Sequence, residues 1–442
     1  MKITFLGGVN TIGGNKFLLE DKDTRIFLDF GQNFKLGEDF FVEWLTPRKR
    51  FGLRDYFALD LIEFIPGLYS EKALEYCDEK WLEPEFDGIF ISHVHGDHTM
   101  QLPYVDEKIP VYLGETTLNI MHSWETTSKF SFEKHDYHTF HTGDLIKIND
   151  WEIEPIHVDH SVPAAYGFII YSPEKTIAYS GDYRIHGPMK QLSFDLLDKL
   201  NATNIDILLT EGTRVTNDEK RENLSEEEVY SRAHLAIQKT KNLVVGSHYG
   251  RDIDRIKTFY QLAKATNRRF VISSKTAHLL QSLEKDPRMK VPSIKDNMLI
   301  YIRKLKKYPK WEQAFFDHES VVDEKYIHEH QSELIFALDF FQFPELIDIQ
   351  PSEESLFIHS MSEAWDERDI TDTIKKNWCN KFNLEYLQLH ASGHCKMEEI
   401  FENIKIINPK IIIPVHTEHP ELFKNEFKNI YLPNLEKRPE TF

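Results

Sequence analysis

His93-Val94-His95-Gly96-Asp97-His98 puts three imidazoles and a carboxylate within six residues. The run follows residues 87–92 (DGIFIS), an apolar stretch that reads as a strand. A strand end followed by a tight turn can aim several side chains into one pocket, and Gly96 permits the turn. Imidazole nitrogen and carboxylate oxygen are zinc donors, and catalytic zinc sites keep an open position for water. So many costly polar groups directly after a core strand bring no structural return. The run therefore reads as metal-binding. Six residues cannot encircle two metals, so further ligands have to come from elsewhere.

Three more metal-competent residues sit where a strand pattern stops. His160 follows Trp151–Val158, Asp182 lies in Tyr179-Ser180-Gly181-Asp182-Tyr183, and His416 closes Ile412-Ile413-Pro414-Val415-His416. Open α/β layers carry their sites at such ends. A lone strand-end histidine is more often an ordinary surface or core residue, so none of the three has weight by itself. Beside the HxHxDH run they become candidate partners in a two-metal site. His122, His135, His138, His141, His186, His328, His330 and His419 fit no such spacing and read as solvated or packing residues.

The elements that must position these residues divide the chain. Residues 1–210 alternate short strands with turns, with Gly7-Gly8 and Gly13-Gly14 as turn signals. Residues 205–210 form a short buried strand that ends at Glu211. From 213 to 382 the pattern changes. Residues 225–240 and 252–266 have helical apolar spacing, and each is followed by a strand, at 243–245 and 270–272, which is the alternation of a parallel sheet. Strand, helix and strand return at 386–389, Met397–Ile407 and 410–415. The expected organisation is one domain, residues 1–212 and 383–442, interrupted by a second at 213–382.

Composition bounds the class. The 442 residues exceed what one core usually takes, and 41% hydrophobic with 28% charged residues is ordinary for a folded globular protein. No stretch approaches the roughly 20 uninterrupted apolar residues of a membrane span, and the N-terminal residues run into a strand pattern with no signal-peptide core. Cys77, Cys379 and Cys395 are scattered without a CxxC pair, which suits a reducing compartment and a cytoplasmic location. The net charge of −19 excludes a generally basic, nucleic-acid-gripping surface but not a local basic patch.

On these residues the sequence resembles the metallo-β-lactamase superfamily. HVHGDH is similar to its signature, Asp29 in Phe27-Leu28-Asp29-Phe30-Gly31 to its first motif, His160 to its third and Asp182 to its fourth. Glu211 in Leu209-Thr210-Glu211-Gly212-Thr213, His394 in Ala391-Ser392-Gly393-His394 and His416 in Pro414-Val415-His416 resemble the three motifs of the β-CASP branch, which includes the ribonuclease J group. Gly246-Ser247-His248-Tyr249-Gly250-Arg251 resembles a loop found early in the β-CASP insert. The resemblance implies an α/β fold, an αββα sandwich with an inserted α/β β-CASP domain, and two Zn2+ ions per chain. By the same resemblance His93, His95 and His160 hold one zinc, Asp97, His98 and His416 the other, and Asp182 bridges them. Asp29 orients a ligand from behind, Glu211 and His394 pair near the scissile phosphate, and a histidine at position 416 goes with RNA-processing members. Leu338-Asp339-Phe340-Phe341-Gln342-Phe343-Pro344-Glu345 departs from the glycine-rich stretch expected in ribonuclease J. No C-terminal extension is seen, so the usual dimerisation tail is expected to be missing, and homodimer formation stays open.

The expected activity is zinc-dependent phosphodiester hydrolysis by a ribonuclease that cuts single-stranded RNA from the 5′ end or internally with a metal-activated hydroxide. A DNA nuclease or small-phosphoester hydrolase of the same fold is the alternative. Asp97 and Asp182 are expected to orient the hydroxide, and His394 to donate to the leaving oxygen while Glu211 fixes its tautomer. Ser392 and Gly393 offer a hydroxyl and backbone N–H groups to a phosphate. Ser247, Arg251 and Arg255 are candidates for contact with a nucleic-acid backbone. Arg251 and Arg255 are four apart and share a helix face, although Asp252 and Asp254 beside them fit a solvated, salt-bridged face equally well.

Overall fold

Side-chain alternation sets the layers. Along Lys2–Gly7, Lys16–Asp21, Thr24–Leu28 and Gly88–Ile91, the residues Ile3, Phe5, Phe17, Leu19, Leu28 and Phe90 face one way, and Leu18, Phe27, Ile89 and Ile91 face the other. A computed structural model describes residues 1–42, 44–363, 370–433 and 440–442. In it these strands belong to a seven-stranded sheet ordered Glu440–Thr441, Lys2–Gly7, Lys16–Asp21, Thr24–Leu28, Gly88–Ile91, Pro110–Gly114, Asp136–Phe140. A six-stranded sheet, ordered Ile411–Pro414, Ile207–Thr210, Thr176–Tyr179, Ala165–Tyr171, Trp151–Val158, Ile146–Ile148, lies against it. The facing side chains make one core, in which Phe17, Leu28 and Phe90 meet Trp151, Phe168, Leu209 and Ile413.

Helices cover the two outer faces. Helix Glu115–Thr127 packs Ile120 and Met121 on the first sheet. Helices Lys190–Ala202 and Met397–Ile407 pack Leu196, Leu200, Ile400 and Ile404 on the second. The result is an αββα sandwich.

The third sheet has seven strands, all parallel, in the order Val321–Val322, Met298–Tyr301, Arg269–Ser273, Leu334–Ala337, Val244–Ser247, Leu356–His359, Glu385–Gln388. Its central strands are apolar except at their ends because both faces are covered. Val244, Phe270 and Ile335 pack under helices Ile253–Ala265 and Ser274–Leu283, and Val245, Phe336 and Phe357 face Leu346 and Cys379. The first of these faces is continuous with the outer apolar layer of the first sheet. Helix Ser274–Leu283 is tied there by His278 Nδ1 to Ser123 Oγ at 2.9 Å, and Thr116 Oγ1 donates to Asp286 Oδ2 at 2.8 Å. The domain boundary expected at 382/383 precedes Glu385–Gln388, yet that strand pairs with Leu356–His359 and is the edge of the third sheet. Its half-exposed residues carry no pattern that would assign it to one sheet or another. Among the described residues no helix is long and apolar enough to cross a membrane.

Candidate metal centre

The two stacked sheets bring their functional strand ends to one edge. Gly88–Ile91 delivers the turn 93–98, Trp151–Val158 delivers His160, Thr176–Tyr179 delivers Asp182, and Ile411–Pro414 delivers His416. The backbone is forced at these ends. Asp29 (φ 58°) and His416 (φ 53°) sit in the left-handed region, which is costly for a residue with a side chain and collects at functional sites. Gly181 (φ +57°) allows the turn before Asp182, and a Cβ there would lie 2.5 Å from the Tyr166 carbonyl oxygen.

The seven residues picked out in the sequence converge. His93, His95 and His160 offer ligand atoms to one point, and Asp97, His98, Asp182 and His416 to another. His95 Nδ1 is 2.9 Å from His93 Nε2 and 3.2 Å from His160 Nε2. In the second group, His416 Nε2 lies 3.0 Å from Asp97 Oδ2, and Asp182 Oδ2 lies 3.1 Å from His98 Nε2. The same Asp182 oxygen is 3.8 Å from His93 Nε2 and 3.7 Å from His416 Nε2, so it stands between the groups.

The outer ring nitrogens show which way the lone pairs point. His98 Nδ1 donates to Asp29 Oδ2 at 2.7 Å, and His160 Nδ1 donates to the Gly393 carbonyl at 2.6 Å. Ser92 Oγ gives its proton to Asp29 Oδ2 at 2.9 Å and so accepts from His93 Nδ1 at 3.1 Å. Thr213 Oγ1 gives its proton to Glu211 Oε2 at 2.8 Å and so accepts from His416 Nδ1 at 2.8 Å. His93 and His160 thus turn bare nitrogens inward, as metal ligation requires, and His98 and His416 face the carboxylates with the nitrogen whose proton a cation would displace. Inward lone pairs about 3 Å apart cannot bond one another, but that spacing approaches the edge of a tetrahedron with zinc–nitrogen bonds of about 2.1 Å. Burial also pushes the His95 pKa down to about 4 and those of His93 and His160 well below the usual range, which keeps them neutral. Burial would lower His98 and His416 too, but the surrounding carboxylates overcome it and raise both. Asp182 Oδ1, buried and aimed at no hydrogen-bond donor, is a further orphan that a cation would satisfy. The donor set fits a metal site.

Glu211 and His394 are paired beside it. His394 Nδ1 lies 3.0 Å from Glu211 Oε2 and 3.9 Å from Asp182 Oδ2, and Glu211 Oε1 accepts from Tyr183 N at 2.8 Å. Gly393 is needed between them, since a Cβ there would meet His160 Cε1 at 2.8 Å. A cavity of about 620 Å³ opens over Asp97, Asp182, His394 and His416, with Ser392, Gly393 and Arg251 in its wall.

Arg251 stacks on Trp124, 3.9 Å from the ring centre, and no carboxylate pairs with it among the described residues. Burial lowers its pKa to about 10, still charged at neutral pH. Ser247 is not brought to the cavity. It is buried beneath it, with Oγ facing Met361 Sδ at 3.6 Å. Arg255 is also removed from the solvent-facing role considered for it, because it is fully buried and bound to Glu226 at 3.0 Å. Ser92, Thr213, Tyr179 and the Gly393 carbonyl are contributors that sequence reasoning missed. Tyr179 OH donates to Asp29 Oδ2 at 2.7 Å. The one available signal was the hydroxyl two residues after Glu211.

Residues 65–249 match the beta-lactamase superfamily domain, and residues 381–433 match the Zn-dependent metallo-hydrolase RNA specificity domain. Residues 65–249 thus carry a domain of the metallo-β-lactamase superfamily. Within it the chain resembles ribonuclease J of the β-CASP branch. It is 20% identical to ribonuclease J of Mycoplasma genitalium, over 94% of this chain and 68% of that one. It is 24% identical to ribonuclease J of Helicobacter pylori, over 98% and 59%, and 21% identical to ribonuclease J 2 of Streptococcus pyogenes, over 96% and 70%. The chain thus spans roughly three fifths to seven tenths of the length of these relatives. A solved protein of unknown function from Enterococcus faecalis shares the fold, with a TM-score of 0.79 and 22% identity over 98% of both chains.

Proposed function

We propose that this protein is a zinc-dependent ribonuclease that hydrolyses single-stranded RNA in a reducing, cytoplasmic compartment. The observation that carries the reading is the convergence of seven metal-competent side chains, six buried and His95 half-buried, on one sheet edge with the Glu211–His394 pair against them. The match to an RNA specificity domain and the ribonuclease names of the relatives support RNA over other phosphodiesters. His93, His95 and His160 would hold one zinc, Asp97, His98 and His416 a second, with Asp182 shared. Such a pair supplies Lewis acidity toward phosphoryl oxygen and water.

The chain's own residues do the rest. Asp182 Oδ1, which has no hydrogen-bond partner, accepts from the attacking water, and Asp97 helps to orient it. Glu211 accepts from His394 Nδ1 and its charge stabilises the imidazolium, whose Nε2–H gives its proton to the leaving oxygen and leaves the neutral ring. Arg251 and Ser392 at the cavity wall bind phosphate oxygens, the arginine without a competing carboxylate. The Asp29, Ser92 and Thr213 contacts hold the imidazoles in one tautomer throughout.

The test is incubation of purified protein with 5′-labelled single-stranded RNA and with matched DNA, beside metal analysis. We expect about two zinc per chain, RNA cleavage that a chelator abolishes, and little cleavage of DNA. Mononucleotide release would mark exonucleolytic action and longer products internal cutting. Cleavage of DNA in preference, or of neither polymer while a small phosphodiester is turned over, would sink the ribonuclease reading.

A further inference from the structure

Beside the cavity lies a loop whose large side chains do not fold inward. Phe34, Phe40, Val42, Trp44 and Leu45 fall within twelve residues and are all exposed, Phe34 by 70% and Trp44 by 82%. Single exposed apolar residues need no explanation, but such a concentration marks a binding surface. The loop is folded by turns. Leu36 N donates to Asn33 O at 3.1 Å, Phe40 N to Gly37 O at 2.9 Å and Val42 N to Leu45 O at 3.0 Å. Asn33 Nδ2 anchors its start by donating to Thr11 Oγ1 at 2.9 Å.

Its inner end reaches the metal site. Phe34 and Lys35 line the catalytic cavity, and Phe34 shares with Asp97 the space over Gly13, where an added Cβ would lie 2.7 Å from Asp97 Cβ and 3.2 Å from Phe34 Cε2. Its outer end is basic. Arg48, Lys49, Arg50 and Arg54 are exposed. The guanidinium carbons of Arg48, Arg50 and Arg54 lie 4.5, 5.6 and 5.9 Å from the Phe51 ring centre. Arg48 is paired with Asp55, whereas Arg50 and Arg54 have no ion-pair partner among the described residues. In sequence, residues 34–54 hold five Lys or Arg against three Asp or Glu, in a chain of net charge −19.

We propose that the loop 34–54 is a docking track for single-stranded RNA, with bases stacked on Phe34 and Trp44 and the backbone passing Arg50 and Arg54. This rests on the ribonuclease reading and says where that substrate is gripped outside the cavity. A long polymer cannot lie within about 620 Å³ and has to cross the rim, which is where Phe34 stands. Exposed aromatic rings give sequence-tolerant stacking, and unpaired arginines neutralise phosphates. A second copy of the chain fits less well, because a two-fold interface sets the same patch against itself and brings like charges together.

The experiment compares kcat/KM for a 20-nucleotide RNA and for a dinucleotide in the zinc-loaded full chain, in Trp44→Ala, in Trp44→Phe and in Arg50→Ala/Arg54→Ala. Binding of the labelled 20-mer is followed by anisotropy over a salt series, and self-association by sedimentation. Trp44→Ala is expected to lower kcat/KM on the 20-mer about tenfold more than on the dinucleotide, with Trp44→Phe recovering most of the difference. The double arginine variant should flatten the log–log salt dependence by about one. Equal effects on long and short RNA overturn the proposal, as does loss of self-association with RNA kinetics intact, which would assign the loop to a second copy. Wild-type protein that neither binds nor cuts the 20-mer overturns the ribonuclease reading and the track with it. Wild-type cleavage that Trp44→Ala leaves unchanged overturns the track alone.

Discussion

An imidazole ligates through one nitrogen only if the other holds the proton, so each ligand histidine depends on the acceptor behind it. Thr213 is the most consequential of these acceptors because it serves two groups. It accepts from His416 Nδ1 and gives its own proton to Glu211, whose carboxylate orients His394. Thr213→Val keeps the branched shape and removes the hydroxyl. Zinc affinity is expected to fall 10- to 100-fold, read by competition with a chromogenic chelator; unchanged affinity would show that His416 needs no partner at that nitrogen. The candidate ligands that the structure brings together were legible in the sequence because rare, costly side chains cluster after apolar strands. Thr213, Ser92 and the Gly393 carbonyl were not. Hydroxyls and carbonyls are everywhere, and what these three do depends on which ring they face across intervals such as the 203 residues between Thr213 and His416. Arg255 was ambiguous for a related reason. Its helix spacing fits a solvated face, and Glu226, on a different helix, together with the Ser360 carbonyl at 3.1 Å makes its burial tolerable.

Helix Ile253–Ala265 begins at Asp252, whose Oδ1 accepts from Arg255 N at 2.9 Å. A carboxylate at this position normally gains from the helix dipole. Here burial dominates and, against the attraction of Arg255, pushes the Asp252 pKa up to about 7, with Oδ2 left unpartnered. An unfolded Asp releases its proton near 3.9. Between about pH 4 and 7 the folded chain therefore binds more protons than the unfolded one, and this group's contribution to stability falls as pH rises. Asp252→Asn keeps an N-cap acceptor and does not titrate. The variant's thermal midpoint should gain on that of the wild type between pH 5 and pH 8, and a difference that stays constant would show that Asp252 ionises freely in the fold. The element itself was legible from its apolar spacing, as were the central strands at 243–245 and 270–272, whose two covered faces make their middles apolar. The edge strand Glu385–Gln388 was expected after the boundary at 382/383 and pairs with Leu356–His359 before it, because half-exposed residues leave the choice of sheet to tertiary pairing.

The catalytic edge belongs to the stacked sheets, but its cavity is walled partly by the third sheet's loops, so activity requires the two to be held in register. Apolar packing supplies most of the adhesion, and a buried ion cluster supplies direction. Arg184, fully buried, binds Asp159 at 3.0 Å, Glu226 at 3.0 Å and Asp254 at 2.9 Å. Asp159 precedes the ligand His160 and Arg184 follows Asp182 by two residues, whereas Glu226 and Asp254 start helices Glu226–Lys239 and Ile253–Ala265, which pack with the third sheet. The Ser225 capping box fixes the first of these helices and with it Glu226. Such clusters add little net stability when complete, since desolvation cancels most of the attraction, but removing one member strands the others. Arg184→Met fills similar space and leaves three carboxylates facing one another without their shared guanidinium. Unfolding in urea should show a loss of about 3–5 kcal/mol. Adding Asp159→Asn to the variant should recover part of it by taking away the charge that, among the described residues, has no other ion-pair partner, whereas Glu226 keeps Arg255 at 3.0 Å. A loss below about 1 kcal/mol would mean that water reaches the cluster and that the apolar layer alone sets the register.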